Sequence, residues 1–208
     1  MKRYLRYVRY IAQWLFLEKL RGLDFTMRDL SLLKSSDGIL HGYSKTDEAH
    51  AKAIFDALGV DKSKRLLDIG CGKGAFLREA CKENFGKIAG LEYVQELADI
   101  AKKNFERLGL SKRVEIYQGD AREFEHYQDF NVFYFFNPFA SEIMETVVSK
   151  IFKEKEHTVF WIILHNPVSA SVVEKHGGKE INRLYDKVKS YETIIYEVNY
   201  EMNGKLHS

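Results

Sequence analysis

The stretch LLDIGCGKGAFL, Leu66 to Leu77, constrains this chain more than any other part of it. Three glycines fall within five positions, directly behind an apolar run that carries an aspartate. Such a pattern predicts a buried strand, a sharp turn and a helix, because glycine permits positive φ and lets a ligand approach backbone N–H groups. Short runs rich in apolar, β-branched or aromatic residues recur at 65–70, 87–92, 114–120, 131–137 and 158–164, each suited to a strand covered on both faces. Helical spacing fills the intervals 75–83, 94–108 and 141–152. Strand and helix alternating in this way predict a doubly wound α/β domain with a mainly parallel sheet and helices on both faces. After a short helix near 169–176 and a turn at Gly177-Gly178, segments 184–190 and 191–200 are close enough to pair as an antiparallel hairpin at the sheet edge.

The amino-terminal part differs. Tyr4, Leu5, Val8, Ile11, Ala12, Leu15 and Leu20 recur at helical spacing, predicting an extra amphipathic helix rich in arginine and lysine. Its simplest role is docking on the main domain, with a membrane, nucleic-acid or dimer contact as the alternatives. Residues 1–45 therefore read as a helical extension and loop, and 46–208 as the catalytic or binding domain. Thr46 is the expected N-cap of a helix that ends near Gly59. A formal net charge of +2 is too small to imply a polyanionic partner, although the basic amino-terminal end alone could favour an anionic surface. Two cysteines outside any C-x-x-C pair suggest neither a disulfide framework nor a metal site, and a reducing cytoplasm is the simplest location. No apolar segment approaches membrane-spanning length, so no integral membrane association is expected.

Gly70, Gly72 and Ala75 satisfy the dinucleotide fingerprint, which keeps a nicotinamide cofactor open. Two carboxylates refine that choice. Glu92 ends the second apolar run, where an acid accepts hydrogen bonds from both ribose hydroxyls of an adenosine. Asp68 stands at the mouth of the loop, where a fixed negative charge is awkward for a pyrophosphate and suits a cationic ligand such as S-adenosylmethionine (SAM).

Asp68-Ile69-Gly70-Cys71-Gly72-Lys73-Gly74 resembles the first motif of class I SAM-dependent methyltransferases, and Leu91-Glu92 resembles their ribose-binding acid. Gln118-Gly119-Asp120-Ala121 resembles the motif beside adenine, and Asn137-Pro138-Phe139 stands where that family carries its substrate motif. The resemblance implies a seven-stranded Rossmann-like sheet whose last strand is antiparallel. It implies cofactor contacts from Asp68, Gly70, Cys71, Gly72 and Gly74 in the loop, from Glu92 and Tyr93, from Asp120 and Ala121, and from Asn137. The upstream stretch HGYSKT resembles a segment that covers the methionine end of the cofactor in some members, which adds Tyr43 and Thr46.

By the same resemblance, Asn137, Pro138 and Phe139 are the catalytic positions. The Asn137 side-chain oxygen and the Pro138 carbonyl would accept hydrogens of an acceptor nitrogen, and Phe139 would form an apolar or cation–π wall. The motif lacks one proline of the N/D-P-P-Y/F pattern, which leaves nitrogen specificity open. His165, at the end of the fifth run, reads more simply as a hydrogen-bonded strand terminus than as a base. The expected function is in-line transfer of a methyl group from SAM to an unidentified acceptor, a small molecule being favoured over protein or nucleic acid. An NAD-dependent oxidoreductase and a non-catalytic SAM-binding module are the alternatives.

Overall fold

Leu66, Leu67 and Ile69 are all fully shielded from solvent, so strand β1 (Arg65–Ile69) needs cover on both sides. The structure, a computed structural model, describes residues 18–25, 45–137, 139–187 and 190–199. β1 pairs in parallel with β2 (Lys87–Glu92) and β4 (Val132–Phe136). β2 pairs with β3 (Glu115–Gln118) and β4 with β5 (Val159–His165), also in parallel. β7 (Tyr191–Asn199) runs antiparallel to β5 and carries β6 (Lys179–Asp186) on the sheet edge. The order is β3-β2-β1-β4-β5-β7-β6, the seven-stranded mixed sheet expected from the sequence.

Neighbouring residues along each strand enter different cores. Leu66, Ile88, Val132, Ile163 and Ile195 pack beneath α1 (Glu48–Leu58), α2 (Ala75–Ala80) and Phe105 of α3 (Gln95–Arg107). Leu67, Leu91, Phe133, Phe135 and Leu164 pack against α4 (Ser141–Glu154) and α5 (Ala170–Lys175) on the opposite face. This alternation follows from the two-residue period of a strand. The strand order reverses between β1 and β4, so the loop after β1 lies at the topological switch point, where open α/β sheets bind ligands.

Three expectations need correction or restriction. The carboxylate of Asp47, not Thr46, caps α1: its Oδ1 accepts from Ala49 N at 3.0 Å and His50 N at 3.4 Å. Thr46 is buried, its hydroxyl held by the Tyr134 hydroxyl at 2.5 Å, which leaves the capping to the neighbouring anionic acceptor. The carboxy-terminal hairpin exists, but β6 starts at Lys179 and ends at Asp186 rather than covering 184–190. A bulge between Glu180 and Asn182 and a largely solvent-facing edge blur the alternation that would have marked the strand's start. The helix expected over 4–20 lies outside the described residues apart from its end, where Lys19–Arg21 form one turn of 3₁₀ helix.

Candidate active site

Gly70, Gly72 and Gly74 adopt φ of +81°, +53° and +84°, the left-handed region that the glycine pattern predicts. At Gly74 a second constraint applies, because an added Cβ would lie 2.6 Å from the Phe105 ring. The loop is stitched to β2 by Gly70 N and Cys71 N, which donate to Leu91 O at 2.8 and 3.1 Å. The Glu92 side chain continues the stitching. Its Oε2 accepts from Gly72 N at 2.8 Å and its Oε1 from Val94 N at 2.9 Å. Two bonds leave part of the acceptor capacity of a carboxylate for a ligand's hydroxyls.

Asp68 lies beside this loop, 3% exposed and without a side-chain hydrogen-bond partner among the described residues. Burial, then the neighbouring Glu92, pushes its carboxyl well above the usual carboxylate range. Burial also raises Glu92, against the lowering effect of its backbone donors. A desolvated acid with a second acid nearby is costly, and a cation beside them relieves that cost. The donor set thus fits SAM, with its sulfonium and ammonium groups, and does not fit a pyrophosphate. Cys71 is buried in the loop; desolvation and the two acids raise its thiol well above the ordinary value, which removes thiolate chemistry at neutral pH.

Beyond β3, Asp120 is engaged by Arg122. The guanidinium Nε donates to both carboxylate oxygens at 3.0 Å and a terminal nitrogen donates to Oδ2 at 2.5 Å. These bonds hold Asp120 below its ordinary pKa, so the carboxylate that the sequence reading assigned to an adenine amine already has a partner. Ala121 is buried, its carbonyl accepting from the Tyr127 hydroxyl at 2.6 Å, while Tyr93 is 55% exposed at the end of β2.

The acceptor side is built differently. A cleft opens at the carboxyl ends of β4 and β5, lined by Asn137, Phe139, Met144, His165 and Asn166 among others. Asn137 and Asn166 both precede proline and both adopt positive φ, +40° and +55°. Asparagine tolerates that region better than other side chains, and proline disfavours the helical alternative for the residue before it. The paired turns carry both chain segments out of the sheet side by side, continuing the β4–β5 register of Phe136 with His165. Phe139 is only 9% exposed and belongs to the core beneath α4 as well as to the cleft wall. Pro138 and Tyr43 lie outside the described residues.

On the other face of the same sheet edge is a polar cluster. His165 Nδ1 lies 2.7 Å from Thr193 Oγ1, which lies 2.6 Å from His50 Nε2, while Asp186 Oδ2 is 3.7 Å from His165 Nε2. His165 is a buried, hydrogen-bonded strand terminus, as the simpler reading of the sequence had it.

A second cluster was not foreseen. Lys73, inside the glycine loop, is 1% exposed and its ammonium reaches both Asp24 oxygens at 2.8 and 2.7 Å. Asn104 of α3 donates to the carbonyls of Asp24 and Lys73 at 2.9 and 3.1 Å and accepts from Asp24 N at 2.9 Å. Asn104 shares the buried face of α3 with Ala98, Ala101 and Phe105. A polar residue at a core-facing helical position was the available sequence signal.

A family described as a methyltransferase domain matches residues 60–197, the whole span from the end of α1 into β7. The chain belongs to this methyltransferase family. Its cofactor is SAM, in keeping with the donor set of the loop. Among curated relatives, a protein-L-isoaspartate O-methyltransferase of Thermotoga maritima is 34% identical over 99 residues, covering 46% of this chain and 30% of the relative. A protein of the same name from Methanococcoides burtonii is 40% identical over 75 residues, covering 34% and 36%. The methyltransferase thus spans about a third of the length of these relatives. Among solved structures, an RNA methyltransferase from Salinibacter ruber in complex with S-adenosyl-L-homocysteine superposes with a TM-score of 0.61 at 17% identity, covering 76% of this chain and 95% of that one. That likeness is one of fold.

Proposed function

We propose that this methyltransferase transfers the methyl group of SAM in line to a nitrogen of an acceptor seated between the Asn137 and Asn166 turns. The observation that carries the reading is the placement of the cleft. It opens at the end of β4, the strand beside β1, so one sheet edge holds the two buried acids on one side and the Asn137 side chain on the other. SAM supplies a methyl group on an already activated leaving group, so the protein's contribution is alignment, exclusion of water and management of charge. Asp68 and Glu92 hold the cationic and ribose parts of the cofactor, with Gly70, Cys71, Gly72 and Gly74 fitting the loop closely around it. Tyr93, Asp120 and Ala121 flank the adenine, and Tyr43 and Thr46 cover the methionine end. The Asn137 side-chain oxygen accepts a hydrogen from the acceptor nitrogen, which fixes its lone pair toward the methyl group. The Pro138 carbonyl accepts a second hydrogen, and Phe139 gives the cleft an apolar wall. A small-molecule acceptor is favoured for this site over protein or nucleic acid. No helix among the described residues is long and apolar enough to cross a membrane.

An oxygen acceptor is the second reading, favoured by the name shared by the two curated relatives. One experiment separates the readings. Radiolabelled methyl from SAM is followed into a cell extract, with Glu92→Ala as the control, and the label is sorted into protein, nucleic-acid and small-molecule fractions and tested for base lability. Base-stable label in small molecules that depends on Glu92 supports nitrogen transfer. Base-labile methyl esters on protein would replace it with the oxygen reading.

A further inference from the structure

The segment Glu18–Phe25 is joined to the cofactor loop by more than apolar contact. Leu23 and Phe25 pack with Ala75, the first residue of α2, and Phe25 meets the Phe105 ring edge-on at 6.3 Å. The Arg78 guanidinium covers the Phe25 ring at 4.8 Å. The segment holds its own shape through Glu18, whose carbonyl accepts from Leu23 N at 2.8 Å and whose Oε2 accepts from Phe25 N at 3.0 Å. Asp24 then presents its carboxylate to Lys73.

Lys73 lies between the two loop glycines that matter most. The amide of Gly72 before it is held by Glu92, and Gly74 after it is seated against Phe105. Asp24 fixes the Lys73 side chain and Asn104 fixes its carbonyl, so the Lys73 side chain and the Lys73–Gly74 peptide are held together by the 18–25 segment and α3. With its ammonium buried against Asp24, Lys73 has no role as a cofactor contact.

We propose that Asp24 and Asn104 are positioning residues for the cofactor: they set the Gly72–Gly74 backbone through Lys73, and docking of the 18–25 segment is thermodynamically coupled to cofactor binding. The inference rests on the reading of the glycine loop as the SAM site. Coupling of this kind is reciprocal, so SAM tightens the segment by the same factor that the segment tightens SAM.

The test uses the full chain and S-adenosylhomocysteine, so no acceptor is needed. Calorimetry on Asp24→Asn and Asn104→Ala is expected to show about tenfold weaker binding than wild type. Leu58→Ala, in the core beneath α1, lowers the melting temperature without moving the affinity and so serves as the control for stability alone. Hydrogen exchange at the Leu23 and Phe25 amides is expected to slow on saturation with S-adenosylhomocysteine in wild type and not in Asp24→Asn. If Asn104→Ala fails to fold, Asp24→Asn decides, since the Asp24 side chain is 38% exposed and the substitution keeps its shape. Affinities within twofold of wild type, or exchange unchanged by ligand, overturn the proposal. Absence of binding by the wild-type chain would instead overturn the assignment of the loop as the SAM site.

Discussion

The two ends of the candidate site solve opposite problems. At the β1–β2 end, the Glu92 carboxylate holds the backbone amides of Gly72 and Val94, and a second buried acid, Asp68, stands close by. At the β4–β5 end, two asparagines in the left-handed region turn the chain away from the sheet and leave a small, mostly apolar cleft. The first end is electrostatically committed, and few ligands satisfy it. The second is set by backbone shape, and its wall shares Phe139 with the core beneath α4.

The comparison breaks most sharply at Glu92. Glu92→Ala removes two charge-assisted backbone bonds as well as the carboxylate proposed to hold the ribose, and should weaken S-adenosylhomocysteine binding by about 3 kcal/mol, or over a hundredfold, in calorimetry. Glu92→Gln keeps one acceptor oxygen and should lie between that variant and wild type. Next in size is Gly74→Ala, where positive φ and the collision with Phe105 combine; a loss of about 2 kcal/mol of stability is expected in urea titration. The paired variant Gly74→Ala/Phe105→Leu tests the steric share and should recover part of that loss.

At the acceptor end, Asn137→Gly keeps the turn and deletes only the amide. It should reduce methyl transfer about tenfold with a far smaller effect on S-adenosylhomocysteine affinity, the reverse of the Glu92 pattern. An Asn137→Gly enzyme with full turnover would remove the side chain from the chemistry and leave the turn alone as its role. The smallest effect concerns pH. Burial lowers the His50 pKa below 6.5, with Asp186 and Asp47 opposing the shift, so the folded state prefers the neutral ring. The stability gained from that preference is complete above about pH 6.5 and is lost as pH falls through the lower folded value. Urea midpoints compared at pH 7.5 and 5.5 should fall less in His50→Gln than in wild type.

Much of this was legible in the chain because it is local. The glycine loop, Glu92 twenty positions after Gly72, and Asp120 at the end of β3 occupy positions set by strand and turn geometry alone. The unforeseen contacts join distant segments: Lys73 with Asp24, Asn104 with Asp24, Thr46 with Tyr134 and His50 with Thr193. No periodicity encodes which surface loop will neutralise a buried lysine. Thr46 shows the limit in miniature. Its residue type fits an N-cap, yet Asp47 offers the stronger acceptor and a buried tyrosine hydroxyl takes the threonine. At the β6 edge, a bulge and solvent-facing side chains erased the two-residue rhythm by which the other strands could be found.

Thr193 has a single hydroxyl hydrogen and two imidazole nitrogens within 2.7 Å of its oxygen. Whenever that hydrogen points to one ring, the other ring must supply the hydrogen for its own bond. Tautomers of His50 and His165 are therefore interlocked, and moving a proton on α1 reverses the hydrogen pattern on β5.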